Sequence, residues 1–317
     1  MTARISVVGS LNMDLVIRAP RIPKPGETII GGEFQTIPGG KGANQAMAAA
    51  RLGAQVTMIG RVGVDPFADA LLANLISAGI DTGFVERDEH AASGVALIVV
   101  DDDGENSIVV ASGANMQMTL EDVEAAAGVI TNSDVLLLQL EVPLPVVGWA
   151  AQMAHSHGVP VILNPAPAQK LPADLLKHVD VVVPNESEAA ILTGLPVENR
   201  SGVELAGKEL LEAGARAVII TLGKQGALLI DEDRGSRTID PFLIQAVDTT
   251  AAGDAFMAGF AVQYAAGKSL VEAARWGNAA GALAALRFGA QTSLPTEAEV
   301  LKLLAGEEPE RIIGRQL

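Results

Sequence analysis

From residue 133 to residue 222 the chain alternates short apolar runs with stretches of helical periodicity, and that beat constrains the fold more than any other feature. Strands are expected over 133–140, 159–164, 179–184 and 215–222, with helices over 121–129, 144–157, 186–193 and 203–213. A helix that joins two strands returns the chain to its starting edge, so the strands run parallel, and a parallel sheet is covered on both faces. The implied class is α/β: a mostly parallel, Rossmann-like central sheet with helices on both faces. The pattern extends outward, with strands over 4–9 and 55–60 and helices over 46–52, 66–78, 269–288 and 297–305. A hairpin of 226–230 with 237–242 is expected to close one edge.

Two zones break the beat. Residues 11–38 and 93–113 have hairpin texture, and Asp103-Gly104 between two β-branched runs is a strong turn signal. They are expected to form one small β-sheet beside the main one, as a lid or dimer surface. At 317 residues the chain suits one large α/β domain, 1–317, with that lid as an appendage.

Composition removes whole classes of function. With no cysteine there is no disulfide, no Cys-ligated zinc and no thiol catalysis. A net charge of −16 repels nucleic acid and anionic membrane, and aromatics at 3% are too sparse for base stacking. No apolar run approaches the roughly 18 to 20 residues of a membrane span, and the N-terminal apolar run is too short for a signal peptide, so a cytoplasmic protein is expected. Any phosphate must therefore be held locally, by backbone amides, helix ends, a metal ion or a few placed cations. The acids before Gly104 do not make a calcium loop, because Val99 and Val110 would fall at its first and twelfth positions. His155 and His157 stand near a helix end and His90 and His178 are isolated, all read as surface positions; Asn199-Arg200-Ser201 is a sequon without meaning in the cytoplasm.

In open α/β sheets ligands bind beyond the C-terminal ends of the strands. Four loops there carry chemistry. In GSLNMD (9–14), Asn12 and Asp14 fall on one side of an extended chain, suited to hydroxyl recognition or equally to a side-chain-stabilised turn. In PGGKGANQ (38–45), glycines admit a ligand to the backbone before a helix, though the pattern is neither Walker A nor a dinucleotide fingerprint. Gly267-Lys268-Ser269 also fails as Walker A, since Val262 stands where the first glycine belongs. PNESE (184–188) reads as a helix cap, or as Asn185 and Glu188 organising water and hydrated Mg²⁺ near a phosphate. In AVDTTAAGDAF (246–256), Asp254 in the first helical turn would share its space with the amides of Ala251, Ala252 and Gly253, a base beside anion-binding donors. An Asp serving only the helix dipole does not explain the absence of side chains in front of it.

GSLNMD, GGKGANQA, SGVALI, QLE, NPAPA, PNESEA, TLGKQG and AVDTTAAGDAF, in this order, resemble the ribokinase family of carbohydrate kinases over about residues 7–293. GGKGAN with DTTAAGD is the specific pair; related kinases more often carry GAGD where this chain has AAGD. The resemblance implies a ribokinase-like fold and ATP-dependent phosphorylation of the 5-hydroxyl of D-ribose, with Mg²⁺ and a monovalent cation, usually K⁺. It implies that Asp254 is the general base and that Gly253 lies at the anion hole. By the same resemblance Asn12, Asp14, Gly40, Lys41, Gly42, Ala43, Asn44 and Glu141 contact the sugar. Asn185, Thr221, Leu222, Gly223, Lys224, Gln225, Gly226, Gly253, Asp254 and Asn278 contact ATP, some relatives carrying His in place of Asn278, and Glu188 is associated with Mg²⁺. Asp248, Thr250, Ala284, Arg287, Gly289 and Ser293 surround K⁺, mostly through carbonyls, and dimerisation through the β lid is implied. Two other readings stand beside this one: a sister kinase for deoxyribose, another sugar or a nucleoside, and a non-catalytic sugar-binding regulator on the same fold.

Overall fold

The computed structural model describes residues 2–102, 105–231 and 234–309. The chain opens with β1 (Arg4–Val8), then β2 (Asn12–Arg18) and β3 (Phe34–Gly39), then α1 (Lys41–Arg51), β4 (Gln55–Gly63), α2 (Pro66–Ser77) and β5 (Asp81–Asp88). Next come β6 (Gly94–Val100), β7 (Asn106–Ala111) and the short α3 (Leu120–Ala125) and α4 (Ala127–Ile130). The regular part runs β8 (Val135–Leu138), α5 (Leu144–Ser156), β9 (Val161–Leu163), β10 (Val181–Val182), α6 (Glu186–Thr193), α7 (Arg200–Glu212) and β11 (Ala217–Thr221). It ends in β12 (Ala227–Asp231), β13 (Gly235–Ile239), α8 (Ala252–Ala265), α9 (Leu270–Ala284) and α10 (Glu297–Leu304).

Nine strands form one sheet in the order β13-β12-β11-β10-β9-β8-β1-β4-β5, parallel except that β12 is antiparallel to β11 and β13. Successive side chains point to opposite faces and so feed different cores. Ile5, Val7, Leu137 and Ile219 join the core under α1, α2, α8, α9 and α10, while Val8, Leu136, Val218 and Ile220 join the core under α3, α5 and α7. Both faces are covered, as the sequence pattern requires.

Four further strands make a small separate sheet, β3-β2-β6-β7. Its two antiparallel pairs, β2/β3 and β6/β7, meet where β2 runs parallel to β6. The Asp103-Gly104 turn lies outside the described residues. Among the described residues no helix is long and apolar enough to cross a membrane.

The structure departs from expectation at five places. α1 begins at Lys41 rather than at residue 46, because a carboxylate oxygen of Glu141 receives the Lys41 amide (3.1 Å) and the Ser10 carbonyl receives the Ala43 amide (2.9 Å). External caps thus overcome the poor helix propensity of the glycines. β5 is an additional edge strand, half-exposed and polar, with Gly83 interrupting its alternation. The single helix expected over 121–129 is two short ones. α9 stops at Ala284, where the Ala285 carbonyl turns to the amides of Val247 and Asp248. Finally, His155 and His178 are not isolated: their rings meet edge to face at 5.4 Å. Asn199, the sequon asparagine, caps α7 through the Gly202 amide (3.0 Å).

α8 and α9 bring their backbones close through small residues. A Cβ on Gly277 would stand 2.9 Å from the Phe256 carbonyl oxygen and 3.0 Å from the Phe256 ring, and one on Gly259 would stand 3.0 Å from Ala280 Cβ. Because this pair anchors the helix carrying Asp254, Gly277→Val is expected to destabilise the protein by about 1–3 kcal/mol, read as a lower urea midpoint at unchanged m-value.

Candidate active site

Asp254 stands in the first turn of α8, three residues after Ala251. Ala251 has φ 57°, the one positive φ among the described non-glycine residues. A left-handed alanine costs about 1–2 kcal/mol, and here it turns the chain into the helix. Of the amides expected to form an anion hole, that of Ala252 is occupied by the Thr249 carbonyl (3.1 Å). Among the described residues the amides of Gly253 and Asp254 have no acceptor, and a Cβ on Gly253 would meet nothing within 4 Å. Unsatisfied N–H groups at an open helix tip form an anion site.

The Asp254 carboxylate is 6% exposed, and it is not unpaired. Asn44 Nδ2 donates to Oδ2 and Gln45 Nε2 to Oδ1, each at 3.1 Å. Burial raises its pKa above the usual carboxylate range, while nearby Lys41 and the two amides pull it back down. Burial alone would lower the pKa of Lys41, but Asp254, Glu141 and Glu188 outweigh it and the net shift is upward. Lys41 is therefore firmly charged, yet it makes no ion pair among the described residues. A cation ringed by carboxylates without touching one is available to an anionic ligand.

Glycines bring the contributing loops together. A Cβ on Gly42 would lie 2.6 Å from the Ser10 nitrogen and 2.8 Å from the Gly9 Cα, so the start of α1 rests directly on the loop after β1. One on Gly40, with φ 88°, would lie 2.7 Å from the Asn12 nitrogen. In the small sheet Asn12 lies opposite Gly39 and Gly94. A Cβ on Gly39 would strike Asp14 Oδ2 at 2.3 Å, and one on Gly94 would strike Asn12 Oδ1 at 2.1 Å. Asn12 is buried and accepts from Asn115 Nδ2 (2.7 Å), a partner that sequence reading missed. Glu141 accepts from Ser10 Oγ and from the Lys41 amide through one oxygen, leaving the other free. Asn44 Oδ1 is buried with no partner, an acceptor waiting for a donor. Ala43 goes elsewhere: its methyl is in the core and its amide is bonded to Ser10.

A cleft of about 210 Å³ lies at the C-terminal ends of the parallel strands, lined among others by Lys41, Asn164, Asn185, Glu188, Thr221, Thr249, Gly253 and Asp254; Asn12, Asp14, Asn44 and Glu141 are not part of its lining. A larger hollow of about 450 Å³ opens at the opposite end of the sheet, beside Arg4, Gln55 and Asn132, and contains none of the expected site residues. Ligand sites in such sheets lie beyond the C-terminal strand ends, which selects the smaller cleft. Asn185 caps α6 through the Glu188 amide (2.8 Å), and Glu188 closes the capping box with one oxygen. The cap reading of PNESE is therefore realised, and Asn185 also lines the cleft. Leu222 is buried and Gly223, Lys224 and Gln225 form an exposed 3₁₀ turn that ends at Gly226. Asn278 donates to the carbonyls of Ile239 (3.1 Å) and Asp240 (3.0 Å), which leaves only its Oδ1 for a ligand.

Beneath the helix tip, Asp248 joins two segments: Oδ1 accepts from Thr250, and Oδ2 accepts from the Gly289 amide (2.9 Å). This places 248–250 beside 285–289. The Arg287 guanidinium turns away to Glu299, and the Ser293 hydroxyl donates to the Ala290 carbonyl. With both Asp248 oxygens taken, any cation here would meet mostly backbone carbonyls. No group of three or more His, Cys, Asp or Glu able to hold a metal ion occurs among the described residues.

Residues 2–297 match the model of the pfkB family of carbohydrate kinases. The chain is 44% identical over 304 residues to a ribokinase of Haemophilus influenzae, covering 96% of this chain and 99% of that one. It is 39% identical over 293 residues to a deoxyribokinase of Salmonella typhi, covering 92% and 95%. The solved structure of Arabidopsis thaliana ribokinase complexed with ribose and ATP superposes with a TM-score of 0.89 at 35% identity, covering 96% and 99%.

Asp14 provides a test of the site's electrostatics. Burial first, then Glu141 and Asp254, raise its pKa from 3.8 to about 7. The folded state therefore favours the protonated form: the penalty is absent below the unfolded pKa, grows between the two values and is complete above the folded one. Asp14→Asn is expected to stabilise the protein at pH 8 by on the order of 2 kcal/mol, a gain that vanishes towards pH 4 in urea titrations at both pH values.

Proposed function

The chain belongs to the pfkB family of carbohydrate kinases, and from that premise we propose how its cleft carries the terminal phosphoryl group of ATP to ribose. It is an ATP-dependent kinase that phosphorylates ribose. The observation that carries the mechanism is one buried carboxylate, Asp254, on the same helix tip as the open amides of Gly253 and Asp254.

In this reading Asn12, Asp14, Asn44 and Glu141 bind the sugar hydroxyls, using the unpartnered Asn44 Oδ1 and the free oxygen of Glu141 as acceptors. The 5-hydroxyl donates to the Asp254 carboxylate, which takes its proton as the oxygen–phosphorus bond forms. The bond from the terminal phosphorus to its bridging oxygen breaks, and ADP leaves with the electron pair. The amides of Gly253 and Asp254 and the charge of Lys41 receive the transferring oxygens. Burial, by raising the Asp254 pKa, brings the base closer to working pH. Asn185, Thr221 and the 222–226 turn line the nucleotide side, with Asn278 behind them.

Glu188 has one oxygen free of its capping box, so it fits an outer role towards a Mg²⁺ ion that arrives on the nucleotide. When bound, that ion neutralises phosphate charge. K⁺ fits the loop held by Asp248, where Thr250, Ala284, Arg287, Gly289 and Ser293 offer carbonyls. We read the whole as one domain whose small sheet is the lid, in a cytoplasmic enzyme that forms a homodimer through that sheet. Its outer residues Leu97, Ile108 and Val109 are each more than half exposed.

A second reading, deoxyribose as the preferred sugar, is favoured by the deoxyribokinase relatives. ADP release measured with ribose, deoxyribose, fructose and adenosine, with and without K⁺, separates the two; ribose with K⁺ is expected to give the highest kcat/KM. Asp254→Asn is expected to lower kcat by about 10²–10⁴-fold while the ribose Kd changes little, and unchanged turnover would remove Asp254 from the mechanism. Val109→Asp, on the 64%-exposed strand residue, is expected to convert a dimer to a monomer by light scattering.

A further inference from the structure

Two glutamines outside the expected site form a buried line that ends on Asp254. Gln139 Nε2 donates to Gln45 Oε1 at 2.6 Å, and Gln45 Nε2 donates to Asp254 Oδ1 at 3.1 Å. Both side chains are fully buried. Gln45 Nε2 also reaches Asn164 Oδ1 at 3.4 Å, and Asn164 Nδ2 is fixed on the Val183 carbonyl (3.1 Å). The polarity of the line is therefore determined at one end by charge. If the Gln45 amide were reversed, its oxygen would face the Asp254 carboxylate, an acceptor against an acceptor in a site nearly without water.

Gln139 holds the other end. Its Nε2 faces the Gln45 oxygen and keeps that amide from turning over. Its own Oε1 is buried with no partner, at the position where a Cβ on Gly9 would stand 2.0 Å away. An unsatisfied buried acceptor is destabilising by about 1–3 kcal/mol, and leucine or methionine would fill that volume without it. A polar side chain held in the core at such a cost calls for a role beyond packing. Gln139 does not itself line the cleft, and its side-chain hydrogen bond runs to Gln45.

We propose that Gln45 and Gln139 are positioning residues for phosphoryl transfer, a two-link relay that orients the Asp254 carboxylate towards the acceptor hydroxyl without adding a positive charge beside it. Asn44 fixes Oδ2 from the same helix α1, so the carboxylate is held at both oxygens by neutral donors. A lysine or arginine in place of Gln45 would hold it as firmly but would lower its basicity. The relay supplies the orientation and lowers the basicity of Asp254 less than a cation bonded to it would.

The inference rests on Asp254 being the base, so Asp254→Asn is assayed alongside as the reference. Gln45→Met and Gln139→Met are compared singly and together, with kcat, both KM values and thermal midpoints measured. Gln45→Met is expected to lower kcat by about 10- to 100-fold, and Gln139→Met by less, with each KM within about twofold of the parent. Because Gln139 acts only through Gln45, the double variant is expected to be no slower than Gln45→Met alone. Gln139→Met also removes the unpartnered oxygen, so its midpoint is expected to be unchanged or higher while its kcat falls. Should Gln139→Met not fold, Gln139→Glu serves instead: its carboxylate opposes the Gln45 oxygen, and kcat is again expected to fall. Unchanged kcat in the glutamine variants, or losses that multiply in the double variant, would overturn the relay while Asp254→Asn remains inactive. Full turnover in Asp254→Asn would instead overturn the role of Asp254 itself.

Discussion

A carboxylate buried at a helix tip and held by neutral amides is the constraint around which the rest of this protein is arranged. Asp254 must stay ionised to accept a proton, yet burial opposes its charge. A direct ion pair would solve the solvation problem and weaken the base. The charge of Lys41, near but not bonded, and the dipoles of Asn44 and Gln45 solve it instead, and all three come from the first turns of α1. The packing of α1 against α8 is thus part of the chemistry, since a shift of either helix would separate donor from acceptor.

That packing explains the glycines better than loop flexibility does. Gly42 lets α1 rest on the loop after β1, and Gly9 leaves room for the Gln139 amide behind it. Gly39 and Gly94 clear space for Asp14 and Asn12 where the small sheet meets the large one. Each is a place where a methyl group would displace a polar group that the site uses. At Gly40, with φ 88°, the backbone itself also demands glycine, which it does not at Gly9, Gly39, Gly42 or Gly94. The result is a cleft lined from three helices, α1, α6 and α8, with the start of the small sheet packed close behind the loop that leads into α1.

The site concentrates unfavourable features. Asp14 is held near neutrality by burial and by two other carboxylates, Ala251 adopts a left-handed conformation, and Asn44 and Gln139 each carry an unpartnered buried oxygen. Each costs stability, and the two well-packed cores on either face of the nine-stranded sheet supply the margin. In a chain of net charge −16, Lys41 at the start of α1 concentrates positive potential at the one place where phosphate is to bind.

The sequence by itself determined the parallel sheet, because alternating apolar runs and helical stretches admit no other economical pairing, and it singled out the loops to which the chemistry is assigned here. Asn12, Asp14, Lys41, Asn44 and Asp254 stood out there because polar residues amid glycine and alanine, at strand ends, have few structural duties. It did not reveal β5, whose exposed polar edge leaves a faint alternation, nor the early start of α1, which depends on Glu141 from the bend after β8, far along the chain. It gave no partner for Asp254, because nothing local shows that Gln45, 209 residues away in sequence, reaches its oxygen. Gln139 was quoted in a motif without a role for the same reason. Helical and strand periodicity are properties of neighbouring residues and survive in one dimension; the direction in which an amide donates is decided only when distant elements pack against each other and exclude the water that would otherwise satisfy both ends.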